Sequence, residues 1–565
     1  MLNRAESVHY SVEHTPEAQA RDRTLVASIH ALATPVSIKA HEAQLLYAPS
    51  AVTLSGGFHG GHWGTLMPFL RACEKSGLVP RCLPIPSKNS FVAPHEWPLS
   101  CSLDGLQLAV MPKKTKQTSV TGTSSDDEKA EVVDWGAPIR AMWAAGEENA
   151  IEACDRFVAT GMHRYERDRS RTDLLTPSFL PASSPPPHPV STATSRLSVA
   201  LRFGELSPRY LYWAINDAGL PKEITKTFAR RLHWRDLAYF HLSRFPDMRL
   251  HGIRRHYDTT RWISDEDEGE YLRRLRSWQR GRTGYPLVDA GMRELYATGW
   301  MAQSVRMVCA SFLVEYLRAS WTDGQAWFAE TLCDADSAIN AMMWQNAGRC
   351  GIDQWNFVMS PENASQDPSG RYTRHYVPEL AELPTKYLHR PWQAPPEVLR
   401  KANVDLGSTY PHRVVTDLVG ERRRSVEAVL EMRRANQIHN DGKGYDIIEI
   451  PSSPSSASSS FFTSRVFTKE EYRIGRSGEV LPPPPRNRKK TGGGGGGGGR
   501  NRKSKENSAK GKRTTEQGQR QYQEEEAKKR GEEHGTDSAN KSPMKLQQGK
   551  GSQRRVTDFF KSGGL

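Results

Sequence analysis

Several groups of residues in this 565-residue sequence have the type and spacing to do chemistry. Ser55-Gly-Gly-Phe-His-Gly-Gly-His-Trp-Gly64 is glycine-rich enough to approach a phosphate. It lacks the Gly-Lys-Ser/Thr ending of a phosphate loop and the spacing of a dinucleotide turn, so it reads as a tight structural loop. Cys73, Cys82, Cys101, Cys154, Cys309, Cys333 and Cys350 are odd in number and contain no Cys-x-x-Cys pair. That argues against a disulfide framework or a zinc cage, favours a reducing compartment, and leaves no metal site to expect. Fourteen tryptophans are present. An indole can give an electron to an excited acceptor, and closely spaced indoles can pass the hole outward, although large indoles fill cores without any such role. At the far end, Gln553-Arg-Arg-Val-Thr-Asp-Phe-Phe560 puts Val556, Phe559 and Phe560 on one face of a helical turn, with Gln553 beside them. That face can plug an apolar pocket on a partner.

The elements that must position these residues divide the chain. Residues 1–110 read as mixed α/β, with helical spacing over Glu17–Leu32 and Thr65–Glu74 and a short apolar run at Gln44–Tyr47. Residues 111–194 read as linker and loops, rich in Lys, Thr, Ser and Asp at 112–131 and in Pro and Ser at 181–194. From 195 to 440 the pattern is helical. Gln303–Arg318, for example, carries Met307, Ala310, Ser311, Val314 and Leu317 at three- and four-residue steps. From 446 to 565 the chain is rich in Ser, Pro, Gly and basic residues, which predicts a disordered basic tail. The net charge of +14 is concentrated in such clusters as Arg486–Lys490 and Arg500–Lys505. They read as nuclear-import signals, DNA contacts or solubilising charge. No apolar run is long enough for a membrane span, and the first residues contain no signal-peptide core.

Seven motifs stand in order through the helical region: Thr194-Ser-Arg-Leu-Ser198, Arg202-Phe-Gly-Glu-Leu-Ser207, Trp234-Arg-Asp236, Gly284-Tyr-Pro-Leu-Val-Asp289, Thr298-Gly-Trp-Met301, Asp334-Ala-Asp336 and Trp344-Gln345. On these the chain resembles the photolyase/cryptochrome flavoprotein family, well over about residues 150–395 and loosely over 8–80. The resemblance implies a partial Rossmann-like α/β N-terminal domain of the antenna-binding type, then an all-α FAD-binding domain and a disordered tail. It implies FAD as cofactor and leaves the antenna chromophore unassigned. Thr194, Ser195, Arg196, Leu197 and Ser198 match the phosphate-binding stretch, which suits hydroxyls and N–H groups opening a helix. Arg235, Arg306, Asp334, Asp336 and Tyr165 match other flavin contacts, and Asn340 matches the position facing flavin N5. Trp344, Trp321 and Trp262 match an electron-transfer chain from flavin to solvent. Trp234, Gln303, Met307 and Asn346 match the substrate pocket.

Within that resemblance the pocket departs from the pattern of dimer-repairing relatives. Asn346 replaces an aromatic wall, Arg231 replaces a carboxylate, and Gln303 replaces an Asn; the paired His of a (6-4) photolyase is absent after Met301. The family's opening strand does not appear either, so the chain reads as lacking the first part of a complete relative. The expected function is a blue-light-driven photolyase-like lyase acting on pyrimidine lesions in DNA. The alternatives are a cryptochrome-like photoreceptor and a DNA- or clamp-binding protein that has lost its flavin chemistry. The tail motif resembles a PCNA-interacting box, which makes the sliding clamp an expected partner and the nucleus the expected compartment. Plastid or mitochondrial targeting is compatible with a missing amino terminus.

Overall fold

The computed structural model describes residues 6–31, 36–54, 63–84, 136–174, 194–352, 358–452 and 460–482. The chain divides at Pro483, and every described residue lies before that point. Strand β1 (Ser7–Ser11) leads into helix α1 (Pro16–His30) and then strand β2 (Ser37–His41), which pairs with β1 in parallel. Thr15 caps α1 and Pro16 opens it, both helix-start signals. This β-α-β unit is all of the expected N-terminal sheet among the described residues; β1 leaves alternate side chains exposed, and β2 exposes all of its residues but Ile38. Helix α2 (Leu66–Ser76) follows and buries Phe69 and Cys73. Most of the glycine-rich loop lies outside the described residues. Its last member, Gly64, has φ +72°, a conformation L side chains rarely adopt, and its carbonyl accepts from His241 Nε2 at 2.8 Å.

Helices α3 (Ala137–Met142), α4 (Glu147–Arg156) and α5 (Met162–Asp168) occupy a stretch expected to be linker. The expectation of loops over 111–194 therefore fails for residues 136–174. Ala150, Cys154, Phe157, Met162 and Tyr165 pack with Leu197, Leu211, Ile215, Phe228 and Leu232 in one apolar cluster. The polar surroundings of this stretch hid its helical apolar spacing.

Helices α6 (Ser198–Phe203), α7 (Pro208–Asp217), α8 (Lys222–Arg244), α9 (Glu268–Gln279), α10 (Pro286–Thr298), α11 (Gln303–Ser311), α12 (Trp321–Thr331) and α13 (Ser337–Ala347) form the main body. Helix α8 stops at Arg244 because Pro246 disfavours helical geometry in Phe245. Helix α10 begins with Pro286 and ends at Gly299 with φ +67°, and it buries Leu287, Val288, Met292 and Leu295. Each such burial stabilises by about 1.5–3 kcal/mol, an upper estimate. A single π-helical turn, Phe312–Tyr316, extends α11. Then come α14 (Arg371–Tyr376), α15 (Thr385–Leu388), α16 (Pro396–Lys401) and α17 (Leu418–Ala435). The all-α expectation holds for this body.

The expectation of disorder from Asp446 onward does not hold for residues 446–452 and 460–482. Strands β3 (Asp446–Pro451) and β4 (Phe461–Val466) pair antiparallel. Ile448, Ile450 and Val466 are buried against Trp63, Leu237, Phe240 and Ile352. Asp446 is enclosed by Arg254 Nη1 at 2.6 Å, His256 Nε2 at 3.4 Å, the Tyr257 hydroxyl at 3.2 Å and Arg433. Burial opposes its charge, yet Arg433, His256 and Arg254 hold its carboxyl far below the usual range. Packing plus a buried ion cluster orders a segment whose overall composition reads as disordered. Residues 483–565, including Gln553, Val556, Phe559 and Phe560, lie outside the described residues.

Candidate functional site

A cavity of about 320 Å³ opens among α5, α6, α8, α11, α12 and α13, within the size range of small-molecule sites. Helix α13 forms one long wall through Ile339, Asn340, Met343, Trp344, Asn346 and Ala347. At 1.5 Å per residue that wall runs about 12 Å.

The amino-terminal end of α13 is held by polar side chains. Asp336 caps the helix, its Oδ1 accepting from Ala338 N at 3.1 Å and Ile339 N at 3.0 Å. Its Oδ2 accepts from the Tyr239 hydroxyl at 2.9 Å and lies 3.8 Å from Arg235. Arg306 Nη2 donates to both carboxylate oxygens of Asp334, at 2.8 and 3.0 Å. Arg202 Nε donates to the Ala335 carbonyl at 2.6 Å, a cavity residue with a role the sequence reading did not assign. The Asp334-Ala335-Asp336 turn is thus fixed by four side chains from three other helices.

Of the residues expected to hold a cofactor, Tyr165, Ser195, Ser198, Arg235, Arg306, Asp334, Asp336 and Asn340 line this one cavity. Thr194, Arg196 and Leu197 do not. Leu197 is buried in the cluster with Leu211 and Phe228. Arg196 has φ +54°, which turns its guanidinium away to lie 5.0 Å from the Trp300 ring centroid. The Arg196 side chain instead lines a separate cavity with Glu294, Tyr372 and Tyr376. Asn340 Nδ2 donates to the Gln325 carbonyl at 3.0 Å, which leaves its amide oxygen to the cavity side.

Of the expected substrate residues, Gln303, Met307 and Asn346 line the cavity, as does Arg231. Trp234 does not. It is partly buried against the cluster of Leu237, Phe240 and Ala338.

Trp344 also lines the cavity and is buried. Its relation to Trp321 is reciprocal. A Cβ on Gly324, one turn along α12 from Trp321, would collide with the Trp344 ring; a Cβ on Gly348, just past α13, would collide with the Trp321 ring. Two glycines therefore bring these helices and their indoles together. Trp262 is half-buried beside them, because Ile263 N donates to the Arg318 carbonyl at 3.0 Å, three residues before Trp321. Trp278, unassigned from sequence, is fully buried with its ring centroid 6.2 Å from that of Trp344.

Behind the cavity, Glu294 is buried and its carboxylate accepts from the hydroxyls of Tyr372 at 2.6 Å and Tyr376 at 3.4 Å. Burial pushes its carboxyl from 4.5 up to about 7, against the pull of Tyr372, Arg196 and Arg306. A carboxyl raised on folding contributes stability that is full below its unfolded pKa and is lost as pH rises through the folded value. Over about pH 4.5–7 this group should remove about 3 kcal/mol. Glu294→Gln should melt higher than the parent at pH 8 and show a flatter melting profile across that window; parallel profiles would show that Glu294 does not titrate there.

The pattern of a long cavity, an Arg–Asp clamp, serine hydroxyls and apolar walls suits a flat, polar-edged cofactor. The family profile described as "FAD binding domain of DNA photolyase" matches residues 228–431. The chain is 32% identical over 438 residues to a deoxyribodipyrimidine photo-lyase of Agrobacterium fabrum, covering 76% of this chain and 80% of that one. It is 27% identical to cryptochrome-2 of Arabidopsis thaliana, covering 76% of this chain and 65% of the relative. Among solved structures, a bacterial class III photolyase from Agrobacterium tumefaciens aligns with TM-score 0.62 and 31% identity over 76% of this chain and 80% of that one. A cryptochrome from Synechocystis aligns with TM-score 0.54 at 23% identity over 75% and 79%, which speaks to fold alone. The protein belongs to the photolyase/cryptochrome family, with the family's helical FAD-binding domain. Among the described residues no helix is long and apolar enough to cross a membrane, and no group of three or more His, Cys, Asp or Glu could hold a metal ion.

Proposed function

We propose that this protein is a light-driven, FAD-dependent DNA photolyase-type lyase that splits pyrimidine lesions. One observation carries the reading. The Arg306–Asp334 clamp and Asn340, together with Arg231, Gln303 and Met307, line a single cavity, so cofactor and base can be held in contact. FAD, when bound, supplies blue-light absorption and one-electron chemistry. The chain's own work is to hold it. Arg306 and Asp334 fix one turn of the lining, Ser195 and Ser198 add hydroxyls to it, and Met307, Met343 and Ile339 supply apolar wall. Arg231 and Gln303 offer donors to a flipped base. The test is a defined pyrimidine-dimer oligonucleotide with the flavin-loaded, reduced protein. Dimer should disappear in blue light and persist in the dark; persistence in both, with flavin content verified, would reject repair.

A photoreceptor is the second reading, favoured by Asn346 and Arg231 in the substrate pocket and by the interlocked Trp321 and Trp344. On this reading Trp321→Phe should slow photoreduction of the bound flavin at least tenfold, measured by transient absorption. An unchanged rate would remove Trp321 from the path.

The tail motif, outside the described residues, is proposed to dock on the PCNA sliding clamp in the nucleus. A peptide spanning 550–565 should bind PCNA by calorimetry, and Phe559→Ala with Phe560→Ala should abolish that binding. Equal affinities would end the proposal.

A further inference from the structure

Beyond α17, where the matched family domain ends at residue 431, one side chain re-enters the cavity. Lys469 lines it together with Ser311, Glu315, Asn346, Ala347 and Val358. These residues gather at the carboxyl-terminal end of α13, about 15 Å along the wall from the Asp336 cap. This is the end where Asn346 stands in place of an aromatic residue, and where a smaller side chain leaves the cavity to continue toward Glu315.

Lys469 is held there on both sides. Thr468, its predecessor, is buried and its hydroxyl accepts from Arg254 Nη1 at 3.2 Å and from Asp446 N at 3.3 Å. Tyr472, three residues on, is fully buried in the main core, with Arg422 Nη2 3.4 Å from its hydroxyl. Lys469 itself is half-buried and precedes the short helical turn Glu470–Tyr472. The charge around it is mixed, Glu315 and Glu471 set against Arg349 and Arg422. Glu315, on the π-helical turn, is bound by Arg349 Nη2 at 2.6 Å and Arg422 Nη1 at 3.1 Å. Burial opposes ionisation, but Arg349, Arg422 and Lys469 hold its carboxyl at about 2. Glu315 is thus an anion engaged by two guanidiniums, with the Lys469 ammonium acting on it as well. Arg231 and Gln303 line the same cavity and add donors to it.

We infer that the segment after β4 is part of the substrate site, and that Lys469 donates to an oxygen of the flipped pyrimidine nucleotide, either a base carbonyl or a phosphate. The inference rests on the repair reading above and adds to it a residue from outside the matched domain. A charge-assisted hydrogen bond in such a place is worth about 1.5–3 kcal/mol, or about 10- to 150-fold in affinity.

The test is dark binding of a dimer-containing oligonucleotide and its undamaged twin by fluorescence anisotropy. It uses the full-length flavin-loaded parent, Lys469→Met, Lys469→Arg and the exposed control Lys443→Met. The parent and the Lys443 variant should prefer the lesion. Lys469→Met should keep its flavin and melting temperature and lose at least about tenfold of that preference, with Lys469→Arg recovering part. A salt slope reduced by about one in Lys469→Met would assign a phosphate contact, and an unchanged slope a base carbonyl. Full preference retained by Lys469→Met overturns this inference alone. No lesion preference in the parent overturns the repair reading and this inference with it.

Discussion

Arg306→Ala should purify with less than about a tenth of the parent's bound flavin. Arg306 Nη2 reaches both oxygens of Asp334, at 2.8 and 3.0 Å, and its Nε donates to the Met301 carbonyl at 2.7 Å. The Asp334 side chain is only 4% exposed. Removing one partner of a buried pair leaves an uncompensated charge and costs about 3–5 kcal/mol. The loss falls on the turn that lines the cavity, so flavin retention reports it as well as stability. Arg306→Lys restores the charge but not the planar fork and should lie between alanine and parent. Flavin-to-protein absorbance ratios decide the matter. Parent-like flavin in Arg306→Ala would show that the clamp does not shape the cofactor's seat.

The second large effect is expected at the other end of the chain. Asp446→Ala should lower the melting temperature by about 5 °C, the equivalent of about 3–5 kcal/mol in a domain of this size. Arg254 and Arg433 are both almost fully buried and both pair with Asp446, so alanine leaves two guanidiniums in the core facing no anion. Asp446→Asn keeps hydrogen-bond acceptance and loses the charge, and it should fall between the two. Calorimetry of the three proteins at neutral pH gives the comparison. A melting temperature within about 1 °C of the parent in Asp446→Ala would show that residues 446–482 contribute nothing to the folded body.

That second prediction concerns a segment the sequence conceals. Asp446-Ile-Ile-Glu-Ile-Pro451 and Phe461-Phe-Thr-Ser-Arg-Val466 are β-rich runs around a Ser/Pro-rich connection, which is a hairpin signal. The polar tract between and after them dominates any average over the tail. Nothing local announces that Asp446 meets Arg254, 192 residues earlier. Lys469 was missed for the same reason, because its place in the cavity depends on that hairpin docking. Helices α3 to α5 were hidden between two loop-like tracts.

The helical body was far more legible. The three- and four-residue steps of α10, α11 and α13 follow from burying one side, and the ordered motifs converge on one cavity because the same helices carry them. Where a motif residue does not line the cavity, side-chain direction is the cause. Trp234 shares its motif with Arg235 and Asp236 but faces another cluster. Arg196 stands between two cavity-lining serines and turns outward through a positive φ. Arg202 belongs to a recognised motif, yet its bond to the Ala335 carbonyl depends on tertiary approach rather than on spacing. The interlocking of Gly324 with Trp344 and Gly348 with Trp321 likewise appears only when α12 and α13 cross.

The most direct test is the absorbance spectrum of the purified full-length protein, with the released chromophore identified and counted. The cavity bounded by Ser195, Arg306, Asp334 and Asn340 predicts a yellow protein carrying about one FAD per chain, with Arg306→Ala depleted beside it. A colourless, folded protein that takes up no flavin on incubation would contradict the assignment of that cavity.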